Sequence, residues 1–303
     1  MSMPTDTPAQ TDIYVAFPWA TLIDTQRKQA WSETGLQRCE AAISRISVKI
    51  AYLRRVHAEA DRPLRVHTVC QHIHWPDLAP RWADLGITDV WLSHCPRDAP
   101  SRGLALRLHA WPLYAVNVED PARRDGLEIG RPITERRWLA SFAGAHMAHY
   151  IDDTRLRLAS LPARPDLHVR IDREWHFESE VYRRQIGGDP AHPLPAAETV
   201  ETYNRLLSDS VFSLCPPGAG ENTLRLWESL AVGAIPVIFG DGPVLPTEQA
   251  AARIEWDKIV VRIPKSGMLG LFDRLDAIPT SERVERQRLG MQAYARIRHL
   301  RCF

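Results

Sequence analysis

No stretch of the chain stays apolar for the about 18–20 residues that a membrane-spanning helix requires. Met1 to Asp12 is polar and lacks the basic-then-apolar pattern of a secretory leader. A strong charge of either sign is also missing: 38 Lys and Arg stand against 37 Asp and Glu, a net +1. That balance gives no overall attraction to nucleic acid, and no basic stretch is interleaved with aromatics. Nucleic acid is therefore not an expected partner, and membrane association is at most peripheral. The five cysteines (Cys39, Cys70, Cys95, Cys215, Cys302) are odd in number, scattered and without CxxC spacing. This excludes a disulfide framework and a structural zinc site, and fits a reducing compartment. A GxGxxG turn with an acidic residue about twenty positions on is absent as well, which disfavours a dehydrogenase. Neither an internal repeat nor a sustained low-complexity tract is present.

What is present is an ordinary globular composition, 45% hydrophobic and 25% charged over 303 residues. That length allows two domains of about 130–150 residues, each with its own core. Beyond a polar tail expected to be disordered over 1–12, short apolar runs alternate with helical patterns. Strands are expected at Ile13–Phe17, Arg65–Cys70, Asp89–Ser93, Leu104–Ala110 and Leu113–Val118. Pro18-Trp19 is read as a turn. A long helix over Ser32–Glu59 carries Leu36, Cys39, Ile43, Ile46, Ile50 and Leu53 at steps of three and four. Pro76–Leu85 is a shorter helix. The charged Glu119–Arg131 stretch reads as a linker, dividing an N-terminal domain (13–125) from a second one (126–280). In the second, strands are expected at Arg137–Phe142, Leu167–Ile171, Val211–Leu214, Ile235–Phe239 and Ile259–Ile263. Helices are expected at Thr154–Leu161, Thr199–Leu207, Leu269–Ala277 and Ser281–Arg298. Alternation of this kind means parallel sheets, with ligands beyond the carboxyl ends of the strands.

The densest signal is SVFSLCPPGAGENTLRLWESLAVGAIPVIFGDGPVLP, from Ser210 to Pro246. It reads as strand, glycine-bearing turn, helix and strand. Asn222 is the expected N-cap and Gly233 the stop. Backbone N–H groups at Gly218 and Gly220 are expected to face outward beside the helix N-terminus, a setting for a diphosphate. Leu224, Trp227 and Leu230 form the face that packs down. Arg225 and Glu228 stand one turn apart and can converge on one ligand, the cation on phosphate and the carboxylate on ribose hydroxyls. A plain surface ion pair is the competing reading of the same spacing.

This stretch resembles the C-terminal signature of exostosin-type glycosyltransferases. RRWLASFAGAH with TRLRLASL, and GITDVWLSHCPRD upstream, resemble further segments of that family. The resemblance implies an α/β chain of the GT-B type: two Rossmann-like domains whose parallel sheets face a central cleft. The last helix (281–303) would cross back to the first domain. It implies a nucleotide-sugar donor contacted by Ser213, Pro216, Gly218, Gly220, Asn222, Thr223, Arg225 and Glu228. Arg155 either reaches a phosphate or is a solvated surface arginine. It further implies inverting, metal-independent transfer from a UDP-type donor to a glycan or glycolipid hydroxyl, with no cofactor. The missing apolar anchor then points to a bacterial, cytoplasmic enzyme of surface-polysaccharide synthesis. A non-catalytic nucleotide- or sugar-binding module of the same fold is the alternative.

Inversion by direct displacement needs one general base. His94 is the first choice, at the end of a strand, with Asp98 and His74 as alternatives and Asp24 behind them. His72, His74 and His94 as a metal trio is the lesser reading, since no carboxylate stands at ligand spacing. One of the three is expected to be functional and the others to be hydrogen-bonded structural residues.

Overall fold

A computed structural model of the chain describes residues 10–28, 33–97, 105–172, 197–246 and 254–299. The chain divides into two compact units between Trp111 and Pro112. Residues 1–9 of the expected tail, Asp98 and the Pro190–Pro195 break lie outside the described residues; Thr11 and Asp12, expected in that tail, instead pair with Leu64 and Arg65 in the first strand.

The first unit is a four-stranded parallel sheet in the order β1-β2-β3-β4. β1 (Thr11–Tyr14) is followed by two helices, α1 (Trp19–Lys28) and α2 (Glu33–Glu59). Then come β2 (Leu64–Cys70), α3 (Ala79–Leu85), β3 (Asp89–Leu92) and β4 (Arg107–Ala110). α2 buries Cys39, Ile43 and Ile50 against Val66, Val90 and Leu92 of the sheet. α1 occupies what the sequence reads as a turn at Pro18-Trp19. Trp19 explains it: fully buried, its Nε1 donates to Thr68 Oγ1 at 2.7 Å, and Thr68 Oγ1 donates to Val15 O at 2.7 Å. One indole thus seats a helix against β2.

The second unit opens with the one-turn helix α4 (Val116–Glu119), where a strand over Leu113–Val118 was expected. Ala115 and Val118, three residues apart, both enter the core with Trp227, which only a helical turn allows. The Glu119–Arg131 stretch is therefore no linker between the units, and the boundary falls at 111/112 rather than 125/126. Next come β5 (Trp138–Ala145), α5 (Thr154–Ala159), β6 (Leu167–Asp172), α6 (Ala197–Ser208) and β7 (Ser210–Cys215). They are followed by α7 (Leu224–Val232), β8 (Ile235–Phe239), β9 (Val261–Ile263), α8 (Leu271–Asp276) and α9 (Thr280–His299). All five strands are parallel, in the order β6-β5-β7-β8-β9. Two parallel α/β units are what the resemblance implies.

β7 and β8 are buried along their whole length, consistent with runs that lack polar alternation. α7 ends at Gly233, whose φ of 79° lets Ala234 N–H bond back to Ser229 O at 2.9 Å. A Cβ at Gly233 would lie 2.9 Å from Gln287 and Met291 of α9, so glycine here also sets how closely the two helices approach. α9 sends Ala293, Tyr294 and Ile297 into the core of Trp227 and Leu230. This helix belongs to the second unit.

Candidate functional site

The strand order itself places a crevice in the second unit. From β5 the chain goes to β6 on one side, then returns past β5 to β7 on the other. The carboxyl ends of β5 and β7 therefore flank a topological switch point, where open parallel sheets take ligands. β5 ends in Gly144-Ala145 and is followed by His146; after β7 comes Pro216 to Thr223.

Two arginines occupy this place. Arg155, from α5, donates through Nε to Pro217 O at 2.9 Å and through Nη1 to Ala145 O, tying the two loops together. Its guanidinium lies 4.5 Å from the centre of the Tyr150 ring and 5.4 Å from that of Phe142. Gly218 makes room for it, since a Cβ there would stand 3.0 Å from Arg155 Nη2. Arg225, in the first turn of α7, donates to Ala143 O and lies over Phe142 (4.6 Å) and Tyr203 (5.0 Å). Burial pushes Arg155 down to about 10, and the neighbouring Arg225 charge acts in the same direction. Neither has a carboxylate within ion-pair distance among the described residues. Arg155 is thus not the solvated arginine of the competing reading. Two cations held together on neutral carbonyls and ring faces, with several N–H donors beyond those already bonded, suit a dianionic group.

Other parts of the expected donor set turn inward. Glu228 is 2% exposed; its Oε1 accepts from Asn117 N–H at 3.2 Å and its Oε2 from Tyr203 Oη at 2.7 Å. It braces α7 against α4 and α6, and is neither a surface ion pair nor presented to a ribose. Ser213 is fully buried within β7, where both faces of the sheet are covered, and Pro216 is buried behind it. The Gly218 N–H does not face outward: it donates to Gly220 O at 3.1 Å, because the PPGAG turn closes on itself. Asn222 Oδ1 accepts from Trp227 Nε1 at 2.8 Å, so Thr223 is the N-cap in its place, without a side-chain capping bond. Leu226 (0% exposed) replaces Leu224 on the buried face.

Two features are added that the sequence did not single out. His146, at the end of β5, has a buried Nδ1 with no hydrogen-bond partner among the described residues and sets its ring edge-on to Tyr150 at 5.7 Å. Its only sequence signal is its place directly after the FAGA strand. At the ends of β8 and β9, Glu221, Gly240, Asp241, Pro264, Lys265 and Ser266 line a hollow of about 410 Å³. Lys265 Nζ stands 2.7 Å from Asp152. Burial alone would raise the Asp152 carboxyl; the Lys265 ammonium outweighs it and the net direction is down.

In the first unit the histidines after β2 and β3 differ from one another. His72 Nε2 pairs with Asp24 Oδ1 at 3.2 Å, and its Nδ1 accepts the His74 N–H at 3.0 Å. Both ring nitrogens are used, which removes His72 from any metal trio and makes it the expected structural histidine. Asp24 is drawn in by α1. His74 is displaced downward in pKa by burial, then by Arg27 and His72. His94 has a buried Nδ1 without a partner among the described residues, while its carbonyl accepts from Trp75 Nε1 at 3.2 Å. Burial lowers His94 to about 4, with His72 adding to it, so the ring is neutral at pH 7. Asp98 lies outside the described residues.

Residues 108–277 match the family described as the exostosin GT47 domain, more than half of the chain. The chain belongs to that glycosyltransferase family. The match covers every strand of the second unit, both arginines and the glycine turn. Similar proteins include a probable glucuronosyltransferase of Oryza sativa subsp. japonica, 37% identical over 94 residues, 31% of this chain and 21% of the rice protein. A probable beta-1,4-xylosyltransferase of Arabidopsis thaliana is 36% identical over 88 residues, 29% of this chain and 20% of that protein. The matched segment thus spans about a fifth of these relatives. Among solved structures, HepE of Anabaena in complex with UDP and glucose aligns at 10% identity and a TM-score of 0.37, over 84% of this chain and 71% of that one.

Proposed function

We propose that the chain transfers a sugar from a nucleotide-diphosphate donor to a hydroxyl of a glycan or lipid-linked acceptor, with inversion. The observation that supports this reading is the Arg155–Arg225 pair at the β5/β7 edge, with no carboxylate at ion-pair distance among the described residues, in a member of a glycosyltransferase family. In the reaction the acceptor oxygen attacks the anomeric carbon, the carbon–oxygen bond to the diphosphate breaks, and the bonding pair leaves with the diphosphate. The two guanidinium groups stabilise the negative charge that develops there. The acceptor proton goes to a general base, for which His94, in the segment after β3, is the choice.

Calorimetric titration of UDP, GDP and CDP tests the first half. Wild type is expected to bind one of the three. Hydrogen bonds to charged groups contribute about 1.5–3 kcal/mol, so Arg155→Ala and Arg225→Ala should each weaken binding about ten- to hundredfold, with the lysine variants retaining part of it. Melting curves check that each variant folds. Failure of wild type to bind any of the three, or full-strength binding by both alanine variants, would remove the diphosphate from this edge.

A further inference from the structure

α2 has two apolar faces. One is the buried stripe of Cys39, Ile43 and Ile50. On the opposite side Val48 (69% exposed) and Tyr52 (56% exposed) stand one turn apart, with Val56 exposed a further turn on. A helix that packs on one side of a globular unit ordinarily shows a polar outer face. Here the outer row is flanked by Arg38, Arg45 and Lys49, all exposed and none in an ion pair among the described residues. Arg55 lies 5.7 Å from the centre of the Tyr52 ring and 3.9 Å from its own partner Glu59. Ser44, Arg45, Val48, Lys49 and Tyr52 together line a shallow hollow. With a net charge of only +1 over the whole chain, this concentration of cations around apolar side chains is local.

We propose that this face of α2 docks on the surface of an anionic lipid bilayer. The apolar row would sit among the headgroups while long arginine and lysine stems carry their charges to the phosphates. The charge pattern selects this occupant over a second copy of the chain. Self-pairing would bring Arg45 and Lys49 against like charges, whereas an anionic surface neutralises all of them at once. The proposal is separate from nucleotide binding, since none of these residues belongs to the second unit.

The test is co-sedimentation of the full chain with vesicles of phosphatidylcholine alone and with vesicles in which a third of the lipid is phosphatidylglycerol. Binding is expected only to the anionic vesicles and should weaken as salt rises. Each cation near an anionic leaflet is worth about fivefold in partitioning, so Arg45→Gln with Lys49→Gln should lower it roughly 30-fold. Val48→Ser with Tyr52→Ser should abolish the salt-resistant part. All four positions are exposed, so melting temperature and UDP affinity should stay at wild-type values. Three results overturn the proposal: wild type that ignores anionic lipid, variants that sediment like wild type, or a dimer that the Val48→Ser, Tyr52→Ser variant splits.

Discussion

His94 and His72 follow neighbouring strands, yet their ring nitrogens are used in opposite ways. His72 has given both to Asp24 and the His74 backbone, and can be replaced only at the cost of that link. His94 has kept Nδ1 unused in a buried place, and burial holds it at about 4. The unfolded chain takes up a proton on this group near 6.5, before the folded chain does. Stability from this residue is therefore fully present above pH 6.5, falls between 6.5 and 4, and is level below. The slope for a single group approaches about 1.4 kcal/mol per pH unit inside that window. Denaturant unfolding of wild type and His94→Asn from pH 7.5 to 4 should show the two curves converging as pH drops. A constant difference across the window would mean that His94 is not held neutral. In the same variant, sugar transfer should vanish while UDP affinity stays unchanged; normal turnover would remove His94 from the reaction.

At the scale of elements, β4 depends on one carboxylate. Asp89 opens β3 with no exposed side-chain surface, and Arg107 Nε and Nη2 meet it at 2.9 and 2.6 Å from the paired position on β4. Arg65 from β2 and His109 meet it at 3.0 and 2.7 Å, and the adjacent Thr88 Oγ1 donates to it at 2.8 Å. Burial alone would raise this carboxyl, but the hydrogen bonds from Arg107, Arg65 and His109 outweigh it and hold it well below the usual carboxylate range. Asp89→Asn leaves Arg107 and Arg65 without their counter-charge. Breaking a buried pair costs about 3–5 kcal/mol, and the exposure of Arg107 places this one toward the lower figure. Amide exchange over Arg107–Ala110 should accelerate more than over β2; equal exchange in both proteins would refute the tie.

The tie to β4 is not legible in GITDVWLSHCPRD, because Asp89 finds its arginine and histidine partners 18, 20 and 24 positions away. β8 was read to the residue, since an apolar run between two glycines leaves no other choice. α2 and α9 were read to within one or two residues, having length enough for the period to show. Elements of one turn fail that condition, and the segment that forms α4 reads as a strand in the sequence. Within the site, Arg225 and the glycine turn stood out from local pattern. The inward turn of Glu228 did not, as it depends on Tyr203, 25 positions before it, and on Asn117, 111 before it.

Across the whole molecule, every member of each hydrophobic core falls on one side of Trp111. One core lies in the first unit and two lie in the second. The two arginines, His146 and the Lys265 hollow all lie in the second unit as well. A fragment of residues 112–303 should therefore melt cooperatively and bind UDP with the affinity of the full chain, while residues 10–111 should bind none. Cutting at 126 instead, where the charge run invites a boundary, removes Ala115 and Val118 from the core and the Asn117 N–H from Glu228. Loss of that apolar burial alone is about 3 kcal/mol, which in a unit of this size lowers Tm by roughly 6–12 °C. Calorimetry of the two fragments decides between the boundaries. Equal melting of 112–303 and 126–303 would show that α4 adds nothing to the second core. A 112–303 fragment that folds but has lost UDP affinity would mean that the nucleotide is held by residues beyond those at the β5/β7 edge.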